Sequence, residues 1–197
     1  MIDTEEVVGR FKSLESLAVL SRVSSTNVIA RRVVNECIEN ELSLPRAMIV
    51  AGEQFAGRGR NQRSWSSPPG KGIYATTLVA CSLCELPLVP LEMANIIASY
   101  LRDVFAIDAR VKWPNDVYAN GRKIAGILIE ARIQDDRVFL LIGTGINVEP
   151  VKDESRPNAV TISEVSSRFS GIDEDGRALL HSGEQTIAVS AGDLILS

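Results

Sequence analysis

Residues 117–148 restrict the fold more than any other part of the sequence. Residues 123–133 and 138–148 are long, mainly apolar stretches that predict two strands. Asn120-Gly121, between residues 117–119 and the first of these strands, is typical of a tight hairpin turn. Antiparallel hairpins are therefore expected to dominate the sheet.

Shorter strands and two helices are predicted before this region. Strands are expected at residues 17–23, 48–51, 73–80 and 109–113. The good N-cap residues Ser24, Ser25, Thr26 and Asn27 precede apolar residues at helical spacing, which are Ile29, Val33, Val34, Cys37 and Ile38. A second helix is expected from Pro90, with an apolar face of Met93, Ala94, Ile97, Tyr100, Leu101 and Val104. We therefore predict an α/β (α+β) fold with a mixed, largely antiparallel sheet and flanking helices.

The two ends of the chain carry weaker patterns. Val7, Phe11 and Leu14 recur at helical spacing and predict a short amphipathic segment over residues 4–14. Residues 149–158 are polar, contain two prolines and predict a linker. Residues 168–197 predict short strands that form a small β appendage.

Residues 54–70, called the Gly–Arg loop below, form a long stretch without apolar periodicity. A loop of this length inside a compact domain is usually functional or disordered. Arg58, Arg60 and Arg63 lie close together there, beside Gly57 and Gly59, which suits an anionic ligand, although a solvated surface turn fits the composition equally well. The loop lacks the Gly-Lys-Ser/Thr ending of a Walker loop and the third glycine of a dinucleotide fingerprint.

The segment Lys112-Trp113-Pro114-Asn115-Asp116 stands between two predicted strands. One interpretation is a plain turn. The other is that Lys112 and Asp116 face a phosphate and its Mg²⁺, while Asn115 supplies directed hydrogen bonds.

Lys123 is a single lysine at the start of an otherwise apolar strand. Its ammonium could reach solvent from the strand end, or it could contact the oxygens that gain negative charge when a carboxylate attacks a phosphate. Gly143 and Gly145 end the next strand, where they permit close backbone approach to a ligand or mark a bulge, and Asn147 follows them.

Composition excludes several classes of protein. A net charge of −4 argues against a nucleic-acid-binding protein, which would need clustered basic residues. His181 is the only histidine and lies far from the Gly–Arg loop, so a catalytic triad or a histidine metal site has little support. Cys37, Cys81 and Cys84 do not form a secreted disulfide pattern, and Cys81-x-x-Cys84 is interpreted as structural. Without a long apolar run, a soluble cytoplasmic protein without membrane or nucleic-acid partners is expected.

Five blocks, taken in order, resemble the catalytic domain of biotin protein ligases of the monofunctional type. They are Ser25-Thr26-Asn27, residues 54–60 with Trp65, residues 112–116, residues 123–130 and residues 143–147. Any single block could arise by chance, but together they cover most of residues 20–148 in the order of the family. The resemblance favours the functional interpretation of each block, and it implies a biotin/lipoate protein ligase-like domain at residues 1–160.

The resemblance also implies roles for individual residues. Lys123 and Arg58 would be catalytic, and Asp116 would be the ligand of Mg²⁺. Biotin would be bound by Ser25, Thr26, Gln54, Gly57, Arg58, Trp65, Lys123, Gly126 and Gly143. The nucleotide would be bound by Arg58, Arg60, Arg63, Lys112, Asn115 and Asn147, with Asn147 at the adenine.

The implied reaction uses ATP, Mg²⁺ and biotin. The biotin carboxylate attacks the α-phosphorus of ATP, and the resulting biotinyl-AMP then acylates a lysine of a biotin carboxyl carrier protein or domain of a carboxylase. Exposed strands at the sheet edges could also pair with a second copy to give a homodimer.

The sequence departs from the family pattern at two places. Only about two dozen residues precede the Ser-Ser-Thr-Asn turn, so the N-terminal DNA-binding domain of bifunctional members is not expected. Residues 163–167 run almost directly into residues 168–173, so the helices that cover the nucleotide and the first barrel strand are expected to be missing, leaving residues 161–197 as a partial SH3-like β segment. Two alternatives therefore stay open, which are a biotin-binding or sensing protein with impaired catalysis and a related lipoate-type acyl transferase.

Overall fold

The computed structural model describes residues 14–81, 87–134, 137–151, 158–173, 177–182 and 184–189. The predicted amphipathic segment at residues 4–14 lies almost entirely outside the described residues, as does Cys84.

A seven-stranded mixed sheet forms the centre of the molecule, with strand order β1-β2-β3-β7-β6-β5-β4. Among these strands, β1 and β2 run parallel and the other neighbours are antiparallel. The strands are β1 Ser16–Leu20, β2 Ala47–Ala51, β3 Gly72–Cys81, β4 Ala109–Lys112, β5 Asp116–Ala119, β6 Arg122–Gln134 and β7 Arg137–Asn147. The predicted mixed, largely antiparallel sheet is confirmed.

Helices cover both faces of this sheet. Helix α1 spans Thr26–Glu39 and helix α2 spans Val89–Phe105. Along β7, Phe139 and Leu141 belong to a core cluster with Ala30 and Val34 of α1, whereas the alternating residues Val138, Leu140 and Ile142 belong to the core cluster of α2. Because successive side chains of a strand point to opposite faces, β7 is apolar on both sides. Its continuous apolar sequence follows from this double burial.

A second, three-stranded antiparallel sheet follows the first. It contains β8 Phe169–Ile172, β9 Ala178–Ser182 and β10 Gln185–Val189, in the order β10-β9-β8. The short helix α3, Ile162–Val165, leads into it from a capping box formed by Thr161 and Glu164. Phe169 meets Phe105 of α2 edge to face at 6.0 Å between ring centroids, so the small sheet lies against α2. The predicted small β appendage contains this sheet, and the domain boundary at residue 160 stays a prediction.

Most predicted elements agree with the structure to within two residues, and one strand boundary was wrong. The strand predicted at residues 17–23 ends at Leu20, whose carbonyl oxygen accepts a hydrogen bond from Gly52 N. The chain then bends, and Val23 forms an isolated bridge with Gln54. No helix in the part of the chain that the structure describes is long and apolar enough to cross a membrane.

Candidate functional site

A cavity of about 580 Å³ lies where the start of α1, the Gly–Arg loop and the turn before β5 meet the surface of β6 and β7; we call it the central cavity. Among the residues predicted as site residues, all except Gly57 and Lys112 line it. They are Ser25, Thr26, Gln54, Arg58, Arg60, Arg63, Trp65, Asn115, Asp116, Lys123, Gly126, Gly143 and Asn147. Five segments that are distant in the sequence are therefore brought to one place by the fold.

The start of α1 forms one wall of the central cavity. Ser25 is the N-cap residue in extended conformation, and both Ser25 and Thr26 are buried. Thr26 N donates to Gln54 Oε1 at 2.8 Å, while Gln54 Nε2 donates to Ser67 Oγ at 2.8 Å. The first turn of the helix is thus connected through Gln54 to the far end of the Gly–Arg loop.

The floor beside this wall is a buried set of polar side chains. The Thr76 hydroxyl, fully buried on β3, lies 2.8 Å from Thr26 Oγ1 and 2.7 Å from Asn27 Oδ1. A Cβ atom at Gly143 would meet the same Asn27 oxygen, so a side chain there would displace Asn27 from this set. Buried polar atoms that satisfy one another in this way fix the shape of the floor.

The Gly–Arg loop doubles back on itself over the cavity. Gly59 N donates to Arg63 O at 2.7 Å, and Trp65 N donates to Gly57 O at 2.9 Å. Gly57 does not line the central cavity but supports the loop from behind, where an added Cβ would lie 2.2 Å from Trp65 O. The loop thereby presents Arg58, Arg60 and Arg63 to the cavity.

Trp65, at the end of this doubled-back segment, lies across the glycines of β6 and β7. A Cβ atom at Gly145 would come 2.5 Å from Trp65 Cε2, and one at Gly126 would come 3.1 Å from Cζ3. The glycines therefore leave the space that the indole occupies. The result is a flat aromatic wall above a strip of bare backbone.

Lys123 extends from the start of β6 toward this aromatic wall. Its Nζ lies 5.2 Å from the centroid of the Trp65 ring and 2.6 Å from Asp116 Oδ1. It is the one lysine among the described residues that line the central cavity. Its ammonium is therefore fixed between an aromatic ring and a carboxylate at the centre of the site.

Arg60 connects the Gly–Arg loop to the turn before β5. Its Nη1 donates to Asn115 Oδ1 at 2.6 Å, and Asn115 Nδ2 donates to Ile127 O at 2.6 Å. Asn115 is buried, so its amide orientation is set by β6. With three arginines and Lys123 against the single carboxylate of Asp116, the described lining carries a net positive charge that suits an anionic ligand.

Lys112 and Asn147 have partners within the protein. Lys112 is exposed and does not line the cavity. Its ammonium lies 4.6 Å from the ring centroid of Tyr118, and Tyr118 itself lines the cavity. Asn147 Nδ2 donates to Lys123 O and to Val160 O, each at 3.2 Å. Asn147 therefore joins β7 to the start of β6 and to the segment before α3.

Several residues of the site were not predicted from the sequence. Thr76 lies within a strand that was predicted without a role for it, and Glu130 and Asn27 were noted only as members of sequence blocks, Asn27 also as a capping residue. Glu130 accepts a hydrogen bond from Asn27 Nδ2 at 3.2 Å and forms an ion pair with Arg31 of α1. A polar residue inside an apolar strand, such as Thr76 in Ala75-Thr76-Thr77-Leu78, was the available signal.

The chain belongs to the biotin/lipoate A/B protein ligase family, whose sequence model matches residues 19–147. It is 34% identical over 153 residues to the bifunctional ligase/repressor BirA of Bacillus spizizenii, covering 76% of this chain and 45% of that protein. It is 27% identical over 168 residues to the biotin–[acetyl-CoA-carboxylase] ligase of Mycobacterium tuberculosis, covering 80% of this chain and 59% of that protein. The chain thus spans about half the length of these relatives.

The fold also resembles solved structures of this class. The crystal structure of the biotin protein ligase of Leishmania major in complex with biotin superposes with a TM-score of 0.62 and 28% identity, covering 75% of this chain and 63% of that one. The predicted family and the predicted fold class are confirmed.

Proposed function

We propose that this chain catalyses the ATP-dependent attachment of biotin to a lysine of a carrier protein, through biotinyl-AMP. The observation that carries the proposal is the position of Lys123, with its ammonium 2.6 Å from Asp116 and 5.2 Å from the Trp65 ring centroid in one cavity. A fixed cation there can stabilise the charge that develops where a carboxylate meets a phosphate. The names of the similar proteins support biotin as the acid that is activated.

Biotin would occupy the side of the central cavity that α1 and Trp65 form. The polar groups of Ser25, Thr26 and Gln54 can exchange hydrogen bonds with its ureido ring, while Trp65 covers its apolar part. Gly126 and Gly143 would act by leaving room for Trp65 and Asn27 against the sheet, which shapes this side of the cavity. Gly57 would act indirectly, by shaping the loop.

ATP would occupy the side where the Gly–Arg loop faces the turn before β5. Arg58, Arg60 and Arg63 would bind phosphate oxygens, and Asn115 would orient Arg60. We propose Asn147 at the adenine end, with Lys112 at the rim. The folding of the loop over this region would exclude water from the mixed anhydride.

The reaction would proceed in two steps. A biotin carboxylate oxygen forms a bond to the α-phosphorus of ATP while the bond from that phosphorus to the β-phosphate oxygen breaks, which gives biotinyl-AMP and pyrophosphate. The neutral amine of the carrier lysine then attacks the carbonyl carbon, AMP leaves, and the amine loses a proton as the amide forms. Lys123 and Arg58 would stabilise the negative charge on the oxygens around phosphorus in the first step.

Magnesium would enter with ATP. In the part of the chain that the structure describes, no group of three histidine, cysteine or acidic side chains is arranged to hold a metal ion. The single carboxylate of Asp116 is nevertheless sufficient, because Mg²⁺ bound to phosphates commonly needs only one or two protein carboxylates. We propose Asp116 as that ligand, and the ion would neutralise phosphate charge there.

The partner would be a biotin carboxyl carrier protein or domain of a carboxylase, and the setting would be the cytoplasm. Residues 1–160 would form the catalytic unit, with residues 161–197 as its partial β segment. A homodimer through an exposed sheet edge such as β1 or β4 is compatible with this arrangement.

The test is a reconstituted transfer reaction. The protein is incubated with biotin, MgATP and an unmodified carrier domain, and mass spectrometry reports biotin on the carrier lysine. A carrier domain without its acceptor lysine serves as the control. Binding of biotin without adenylate or transfer would favour a sensing protein, and preferential use of lipoate would favour a lipoate-type transferase.

A further inference from the structure

Glu130 of β6 is a carboxylate shared by two arginines from different elements. Arg31 of α1 forms an ion pair with Glu130 Oε2, and Arg58 of the Gly–Arg loop reaches Oε1 at 3.8 Å between charged atoms. Asn27 Nδ2 also donates to Oε1, at 3.2 Å. Each carboxylate oxygen therefore has a partner on α1, and one of them also faces the loop.

The α1 side of this group is well fixed. Asn27 is buried, and its side chain packs tightly against Gly143. Its amide oxygen Oδ1 accepts a hydrogen bond from Thr76 Oγ1 at 2.7 Å. Arg31 lies one turn further along the same helix. Glu130 is consequently held in one position relative to the wall and floor of the central cavity.

The Arg58 side is the weaker contact. The Arg58 side chain is 46% exposed, against 25% for Glu130, and its distance of 3.8 Å is the longest of the three contacts. Because backbone hydrogen bonds fold residues 57–65 back on themselves, a tether at Arg58 acts on the whole doubled-back segment. Arg60 tethers the same segment to Asn115 on the other side of the cavity.

We propose that Glu130 is a positioning residue that holds the Gly–Arg loop closed over the central cavity through Arg58. Glu130 is not among the described residues that line the cavity, whereas Arg58 is. Glu130 acts on the ligand only through the orientation of Arg58 and the closure of the loop. The catalytic consequence of this role rests on the proposed function, but the loop contact itself does not.

Limited trypsin digestion measures loop opening without any substrate, because the loop carries cleavage sites after Arg58, Arg60 and Arg63, and the last two are present in every variant compared. In Glu130→Gln, cleavage at these two sites is expected to be roughly fivefold faster under native conditions, the effect of losing a partly exposed ion pair. In an Arg58→Gln background, Glu130→Gln should add nothing, since the two residues act through one contact. Unchanged cleavage, or additive effects of the two substitutions, would overturn the proposal.

A matched control and a second variant separate loop opening from general unfolding. Glu15→Gln is the control. It removes a carboxylate that forms an ion pair with Arg46 at 3.0 Å, and neither residue lines the cavity. Cleavage of the loop in this variant should match that of the unsubstituted protein. If Glu130→Gln also accelerates cleavage after Arg102 in α2, the whole protein has opened. The experiment is then repeated with Glu130→Asp in place of Glu130→Gln. Aspartate keeps the charge but is shorter, so loop cleavage should rise less than in Glu130→Gln. The rise should again vanish in an Arg58→Gln background. A rise that persists in that background contradicts the proposal.

A second readout connects the loop to the reaction. With biotin and MgATP, Glu130→Gln is expected to release a several-fold larger share of biotinyl-AMP into solution for each biotin transferred to the carrier. An unchanged share would refute this consequence. If the unsubstituted protein forms no biotinyl-AMP, the proposed function fails, and the trypsin experiment still decides whether Glu130 holds the loop.

Discussion

The indole of Trp65 occupies the space that a side chain at Gly145 would need. A Cβ atom at Gly145 would lie 2.5 Å from Cε2 and 2.6 Å from Nε1 of the ring. The ring is rigid, so it can avoid such an atom only by moving as a whole. The aromatic wall of the central cavity therefore depends on the absence of one methyl group in β7.

Gly145→Ala tests this dependence. The indole should be displaced and biotin affinity should fall by about tenfold, since forcing one extra methyl group into a close contact typically costs 1–3 kcal/mol. Isothermal titration with biotin measures the change. In a Trp65→Phe background the ring is smaller, so Gly145→Ala should reduce biotin affinity less. Full biotin affinity in Gly145→Ala alone would contradict the proposal that the Trp65 indole forms a wall of the biotin site.

Asn147→Asp tests the junction between β7, β6 and the segment before α3. The substitution removes two donated hydrogen bonds, to Lys123 O and Val160 O, and replaces them with a carboxylate beside carbonyl oxygens. The free energy of unfolding should fall by about 1–3 kcal/mol, as measured by urea denaturation. Asn120→Asp, at the exposed hairpin turn, is the control and should change little.

Arg60→Gln tests whether the two sides of the cavity bind different substrates. Loss of the charged contact to Asn115 and to a phosphate should raise the KM for ATP about tenfold, because a charge-assisted hydrogen bond is worth about 1.5–3 kcal/mol. The Kd for biotin should rise less, by about twofold, because Arg60 affects the proposed biotin side only through the loop that it tethers to Asn115. Arg110→Gln, at an exposed pair with Asp108, is the control; equal losses for both substrates would refute the assignment.

The resemblance to biotin protein ligases supplied the roles of the site residues, whereas the pattern of glycines and polar residues indicated only where a site could lie. Glycines and polar residues next to apolar strands mark where backbone and side chains become accessible, as in the Gly–Arg loop and at Gly143. The residues that were missed depend on long-range contacts. Thr76 and Asn27 are 49 residues apart and Asn27 and Glu130 are 103 apart, so local spacing carries no sign of either contact.

Local pattern also could not show which way a side chain points. Lys112 ends β4 and extends over Tyr118 outside the cavity, although its neighbour in the motif, Asn115, is buried inside it. Gly57 lies in the predicted loop but faces the backbone of Trp65. Both positions are set by how the loop and the turn fold against β6, which only the tertiary structure determines.

The proposed role of Lys123 in forming biotinyl-AMP is tested most directly by biotin-dependent exchange of labelled pyrophosphate into ATP, measured for the unsubstituted protein and for Lys123→Gln. This exchange reports the first chemical step alone and needs no carrier protein. We expect clear exchange that falls about a hundredfold or more on loss of the Lys123 ammonium, while Lys71→Gln, away from the described cavity lining, keeps full exchange. Absence of biotin-dependent exchange in the folded protein, or full exchange in Lys123→Gln, would contradict this role.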